Sequence, residues 1–336
     1  MTDLEAAVQL LGGDTNKVIY DDVGLPSIMV YFPKKVINEV YKGLTATSAC
    51  PAFIVNGNEI DGFYVSKYQN IVINTRAYSL PLQKPKSALT YDEALTYCNN
   101  KGNGWHLYTN AERAYIAELC NLNGYNPGGN IYYGINQNKK YETGVKSDEN
   151  LVFTGSGPKA WAHNNDVSGV WDLVGNVAEL ITGIRLLNYE IQIIADNDAA
   201  DNNKSLAENS LLWKCIGSSG LVEQGTKDTL KYDYIDNKIT IVKEGTGSFE
   251  KYVTAAYSDI VNTISNSVLS LLGIAPLNNV DYKGRILIDN KITELLPAIC
   301  GGYNSTTMAG ISGIYYNNRR NTRSNNVGFR ACYVEL

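Results

Sequence analysis

Histidine is nearly absent from this chain of 336 residues, which has only His106 and His163. That excludes paired-histidine metal centres, and no HExxH stretch is present. No GxSxG stretch or Ser/His/Asp order is visible, and no P-loop or GxGxxG follows a strand into a helix. The six cysteines (Cys50, Cys98, Cys120, Cys215, Cys300 and Cys332) are widely and irregularly spaced, and none forms a CxxC pair. Buried free thiols are the expectation, and any disulfide pairing stays unassigned. Charged residues make up only 19% and the net charge is -5, which argues against general nucleic-acid binding. No apolar run is long enough to span a membrane. Met1-Thr-Asp-Leu-Glu5 lacks a basic and then apolar lead-in, so no classical signal peptide is expected.

Tyrosine (24) and glycine (30) are abundant instead, which favours a loop-rich, β-rich globular protein over disorder. The length suits one large domain with additions. Residues 1–49 read as an N-terminal extension. A helix capped by Thr2 with Glu5 has Leu4, Ala7, Val8 and Leu11 on one face and stops at Gly12-Gly13. A strand over Ser27–Phe32 ends at Pro33. The extension is either an attachment module or a first strand packed on the main domain. The main domain is expected over residues 50–336. It opens with strands at Ala52–Val55 and Ile60–Tyr68 around an Asn56-Gly57-Asn58 turn. Capping boxes at Thr90/Glu93 and Thr109/Glu112 start two helices.

Gly169-Val-Trp-Asp-Leu-Val-Gly-Asn-Val-Ala-Glu179 carries the densest structural signal in the middle of the chain. Gly175 permits a tight turn, Asn176 can bond otherwise orphaned backbone groups, and Trp171 fills the core. A catalytic role for Asp172 or Glu179 is the alternative, with no partner group nearby in sequence. Residues 188 to about 298 read as an insertion. A hairpin is expected there, Tyr232–Ile235 and Ile239–Val242 around Asp236-Asn237. A long amphipathic helix is expected from Phe249 to Leu271, packed on the chain's own sheet or offered to a second copy as an oligomer contact.

The C-terminal stretch joins two kinds of sequence. Val327-Gly-Phe-Arg-Ala-Cys-Tyr-Val334 reads as a buried strand. Before it, Tyr303 to Ser324 is Asn, Tyr, Ser, Thr, Arg and Gly with little apolar periodicity. Such a menu suits an adaptable contact surface, and equally a solvated loop. From Gly301 to Asn326 there is no Lys, Glu, Gln, Asp, His or Trp. Every type present except Met308 is reached from an asparagine codon by changing its adenines alone.

Gly301-Gly302, the Asn/Tyr-rich run and Val327-Gly328-Phe329-Arg330 resemble the variable region of diversity-generating retroelement variable proteins. Ile60–Tyr68, Gly104–Glu112 and Gly169–Glu179 resemble the scaffold of that family, a C-type lectin fold of the formylglycine-generating-enzyme type. The resemblance covers roughly residues 50–187 and 298–336 and implies an α+β fold. Ala178 and Leu180 stand where many relatives have tryptophan. The enzymes of the parent family use two closely spaced cysteines before the final Gly-Phe-Arg, and Tyr303–Asn326 has none. Iron-dependent relatives need histidines that this chain lacks.

The resemblance therefore implies a non-enzymatic ligand-binding protein with massive sequence variation at residues 301–326. The expected contact residues are Tyr303, Asn304, Ser305, Thr306, Thr307, Ser312, Tyr315, Tyr316, Asn317, Asn318, Arg319, Arg320, Asn321 and Arg323. Tyr315 and Tyr316 would be the aromatic anchors, and the arginines would favour a carboxylate or phosphate. Trp171, Asp172, Gly175, Asn176, Gly328 and Phe329 would form the core motif. The implied partner is a protein or glycan receptor on a host cell surface, and a homo-oligomer fits. The implied location is a phage tail fibre, or a bacterial surface for an adhesin. A formylglycine-generating-enzyme-like oxidoreductase is the rival of another class, and a constitutive sugar-binding lectin a third reading. No cofactor is expected; structural calcium on loop oxygens stays open.

Overall fold

The computed structural model describes residues 1–245, 249–291 and 293–336. It is a mixed α/β protein built on two curled sheets. The first has five strands in the spatial order Asn16–Tyr20, Pro26–Pro33, Gly62–Ser66, Ala331–Tyr333 and Trp105–Leu107. The strand near the N-terminus thus pairs directly with Gly62–Ser66, Met29 facing Ser66 and Phe32 facing Phe63. Helix α1 (Asp3–Gly12) has the Thr2/Glu5 capping box, but Val8 and Gly12 alone of its residues are buried and Leu11 is exposed, so the expected apolar face is uncovered.

Helices α2 (Ile37–Val40), α3 (Tyr91–Asn99) and α4 (Asn110–Leu122) follow. Both Thr90/Glu93 and Thr109/Glu112 make reciprocal caps, satisfying backbone N–H groups that a helix start leaves orphaned. The strand expected at Ala52–Val55 is instead a 3-10 turn at Pro51–Phe53 and a short strand at Ile54–Val55, because Pro51 cannot donate a ladder hydrogen bond.

The second sheet has thirteen strands among the described residues. Its continuous path runs Val253–Ala256, Arg285–Ile288, Ile314–Asn318, Glu294–Ile299, Ile184–Leu187, Glu190–Ile193, Lys231–Ile235, Lys238–Val242 and Val261–Asn262. The hairpin around Asp236-Asn237 is present, with both residues at positive φ as a tight turn requires. The helix expected over Phe249–Leu271 is absent. Val253–Ala256 pairs with Arg285–Ile288, Val261–Asn262 pairs with Thr240–Ile241, and helix α5 begins only at Ser267 behind Asn266. The reason lies in Val253, Thr254, Val261, Thr263 and Ile264: β-branched residues lose rotamers in a helix and gain packing in a sheet. The oligomer contact imagined for that helix goes with it.

Ala178–Leu180 links the halves of the site. It pairs antiparallel with Glu294–Ile299 and parallel with Val327–Phe329. The chain then passes through Arg330 into the first sheet. Arg330 and Glu179 are fully buried, with Arg330 Nη2 2.6 Å from Glu179 Oε1. Arg330 also donates to the Ser66 and Trp171 carbonyls, and Gln69 donates to Glu179 and to the carbonyls of Asp172, Gly175 and Val177. Glu179 is therefore fully engaged in holding the sheet switch. The six cysteines are free and buried.

Candidate functional site

Asn176 sets where the C-terminal segment begins. Its amide donates to Val152 O and Gln69 Oε1 and accepts from Val152 N and Asn130 Nδ2. All of its side-chain capacity is used, and its own carbonyl accepts from Tyr303 N at 2.9 Å. Gly175 sits at φ 83°, where a Cβ would lie 2.5 Å from Asn130 O, so no other residue fits. A Cβ on Gly328 would lie 2.6 Å from Lys86 O, which lets the Val327–Phe329 strand pass close beneath that loop. Trp171 and Phe329 are buried as the core motif requires. Asp172 is fully buried: Oδ2 accepts from Gly155 N, Oδ1 has no partner among the described residues, and burial pushes the carboxyl up to about 6.

From that anchor the segment makes two arms. The first is the Tyr303–Asn304 turn and the 3-10 turn Thr306–Met308; the second is the strand Ile314–Asn318 and the turns that follow. Between them lies a groove of about 420 Å³. Ala178, Leu287, Ala298, Tyr315 and Val327 give it an apolar floor. Asn304, Ser305, Thr306 and Met308 line one side, and Asn317, Asn318, Thr322, Ser324 and Asn326 the other. No charged side chain lines it. Such a site offers short amide and hydroxyl groups above a hydrophobic base, suited to an uncharged polar group. A larger groove, about 580 Å³, lies away from it among Leu44, Ile260–Ser267 and Pro276–Val280.

The structure sorts the expected contact residues. Asn304, Ser305, Thr306, Tyr315, Asn317 and Asn318 meet in the groove. Thr307 faces a second concavity of about 340 Å³, shared with Asn126–Gly129, Ile131, Lys139 and Lys283. Arg319 and Asn321 are exposed beside the groove. Five expectations are corrected by burial, Asn318 among them at 5% exposed on the groove wall. Tyr316 is 0% exposed, because Ile314–Asn318 is a strand flanked on both edges and Ile314 and Tyr316 point into the core. Tyr315 is 7% exposed: it is floor rather than anchor, its hydroxyl donating to Met308 O. Ser312 is buried beside the Lys283 carbonyl that accepts its N–H. Tyr303 packs against Leu151 and Val177.

The arginines are also mostly committed. Arg320 pairs with Asp92 at 3.0 Å and stacks over Tyr91; its Nη2 donates to Glu294 Oε1 at 3.0 Å and to Leu206 O, while its Nε lies 2.7 Å from Glu294 Oε2 without hydrogen-bond alignment. Arg323 pairs with Glu93 and donates to Ala88 O. Both fasten the segment to α3, so an arginine-bound carboxylate or phosphate loses its support. Reasoning from sequence missed Ala178, Leu287, Ala298 and Val327, which reach the groove only through strand pairing. Met308, Thr322, Ser324 and Asn326 lay inside the composition-marked stretch and were findable from it.

His106, Glu112 and Cys332 form a buried group within 4.8 Å. Its thiol and imidazole do not suit calcium. His106 Nε2 lies 2.8 Å from Glu112 Oε1, and Thr109 N and Asn197 donate to the same carboxylate. Burial pushes Glu112 upward, yet these partners hold it below the usual carboxylate range. Burial pushes the thiols of Cys300 and Cys332 up, leaving both protonated.

No known family profile and no curated protein matches the chain. Among solved structures it is similar to the Major Tropism Determinant U1 variant, at TM-score 0.32 and 10% identity over 92% of this chain. It spans 63% of that protein's length. The I1 variant gives TM-score 0.33 and 10% identity over 96% of this chain and 72% of its own. At that similarity the likeness by itself assigns neither fold nor function.

Proposed function

We propose that this chain is a receptor-binding protein with a C-type lectin fold of the formylglycine-generating-enzyme type, whose residues 301–326 form a retroelement-diversified contact face. In this reading residues 50–336 are the lectin-like domain, about 188–298 its insertion, and the protein sits on a phage tail fibre or comparable virion structure. The groove carries the proposal. Its walls are Asn, Ser and Thr side chains, Asn304 and Asn317 exposed, Asn318 buried and the others half-buried, hung on a backbone that Asn176, Arg320 and Arg323 fasten to the scaffold. Wall residues can change without moving that backbone, as a diversified site requires. The rival thiol oxidoreductase needs a reactive thiolate near this segment, and Cys300, just past the strand Glu294–Ile299, and Cys332, within Ala331–Tyr333, are buried and held protonated.

The test exchanges Asn304, Asn317 and Asn321 for Ser or Tyr and measures thermal unfolding and cell binding on the same variants. Unchanged melting with lost or redirected binding is expected. Collapse of the fold, or unchanged binding, defeats the proposal, and stoichiometric copper with turnover would establish the oxidoreductase instead. A near-copy of the 301–326 codons beside a reverse transcriptase gene tests diversification directly.

A further inference from the structure

With Tyr315 and Tyr316 buried, the groove lacks the large amphipathic contacts that usually dominate recognition. Two tyrosines outside the segment occupy that role geometrically. Tyr132 and Tyr133 are 46% and 43% exposed. Their rings meet edge to face at 5.3 Å and 79°, and the Tyr133 ring lies 5.5 Å from that of Tyr303. The turn that carries them is stitched to the first arm of the groove: Tyr133 N donates to Tyr303 O at 2.9 Å, and Thr306 N donates to Ile131 O at 3.0 Å. No hydrogen-bond partner holds either phenol among the described residues.

The pair is also held rigidly from beneath. Tyr133 sits at φ 45°, a left-handed conformation costly for any residue with a Cβ and retained only where the surroundings impose it. Buried Asn130 imposes it: Oδ1 accepts from Gly134 N at 2.6 Å, and Nδ2 reaches Asn150 O and Asn176 Oδ1. Asn176 N in turn donates to Asn130 O. The asparagine that starts the variable arm therefore also aims the tyrosines. Rings fixed before binding lose little freedom on contact.

We propose that Tyr132 and Tyr133 are the fixed anchors of the recognition face, supplying a ligand-independent share of the affinity while residues 304–321 supply specificity, and that the partner is a folded protein surface. This rests on the receptor-binding reading above. Two features favour a protein. The two rings stand at 79° to each other, a stepped surface rather than a flat platform. Exposed Tyr132, Thr307 and Asn321 lie outside the groove lining while exposed Asn304 and Asn317 belong to it, so the exposed face is wider than the groove itself. Tyrosine beside short amides and hydroxyls is the chemistry of protein-binding loops.

The test applies the fluorescently labelled full chain to intact cells of a panel of bacterial strains, untreated, trypsin-shaved or periodate-oxidised. Tyr132→Ala/Tyr133→Ala should weaken binding on the order of 30-fold, the loss of one hot spot, with melting unchanged. Tyr141→Ala, 82% exposed and outside the pair, should bind as the parent does. Trypsin should abolish binding and periodate should spare it. Undiminished binding by the double variant, or equal loss in Tyr141→Ala, overturns the anchor assignment. Loss to periodate with survival of trypsin overturns the protein partner and assigns a glycan. A parent chain that binds no strain defeats the receptor-binding reading itself, a result distinct from failure of the anchors alone.

Discussion

Replacing Tyr316 separates a structural strand from a recognition loop. The residue is 0% exposed, sits in the main apolar cluster and has its ring 6.1 Å from Tyr232. Truncation to Ala removes a whole ring from a site closed by Arg285–Ile288 on one side and Glu294–Ile299 on the other, so little collapse is available. The cost should fall at about 3–5 kcal/mol, as for other large aromatic deletions. The hydroxyl tells a different story. It is buried and finds no hydrogen-bond partner among the described residues. Tyr316→Phe should therefore be neutral or stabilising by about 1 kcal/mol, since an unpaired buried hydroxyl costs roughly that much or more. Asn317, one residue on and exposed, faces the groove. Asn317→Ala should alter stability by less than about 0.5 kcal/mol and weaken binding. Urea unfolding of the three variants, paired with cell-binding titration, reads both quantities. If Tyr316→Ala unfolds like the parent but loses binding, the strand register is off by one and the opposite face meets the ligand.

Three further outcomes follow from the same geometry. Arg320→Ala should cost about 2 kcal/mol by chemical denaturation, because it removes charge-assisted contacts to Asp92 and Glu294 while Arg185 still pairs Glu294; Arg319→Ala, exposed, should cost nothing measurable. Asn176→Ala should cost about 3 kcal/mol or more, since it strands buried groups of Val152, Gln69 and Asn130 together; melting like the parent would remove the residue from its hub position. Asp172 has a folded value of about 6 against 3.8 unfolded, so the folded chain retains a proton that the unfolded chain releases. Its contribution is fully favourable below about pH 4 and is lost as pH rises through about 6, a swing of about 3 kcal/mol. The stability of the parent minus that of Asp172→Asn should therefore fall across that window; a flat difference would mean the carboxylate ionises normally.

The elements legible in the sequence are those with local causes. Thr90/Glu93 and Thr109/Glu112 satisfy their own helix starts, and Asp236-Asn237 makes its own turn, so spacing alone locates them. Phe249–Leu271 shows the opposite case. Its apolar spacing fits a helix, but strand partners at Arg285–Ile288 and Lys238–Val242 lie far along the chain and decide the outcome. The candidate site divides along the same line. Composition alone marked residues 301–326, and most of the groove walls come from that stretch. Composition cannot say which side of a strand a residue occupies, and Tyr316 and Asn317 differ only in that. Nor could it reveal that a turn at residues 130–134 is tied to Tyr303 through Asn176, since that tie is made of backbone carbonyls and two buried amides. A side chain exposed within the marked stretch and not tied to the scaffold is thus free to vary, whereas one that fastens the stretch, such as Tyr316, Arg320, Arg323 or Asn176, is not.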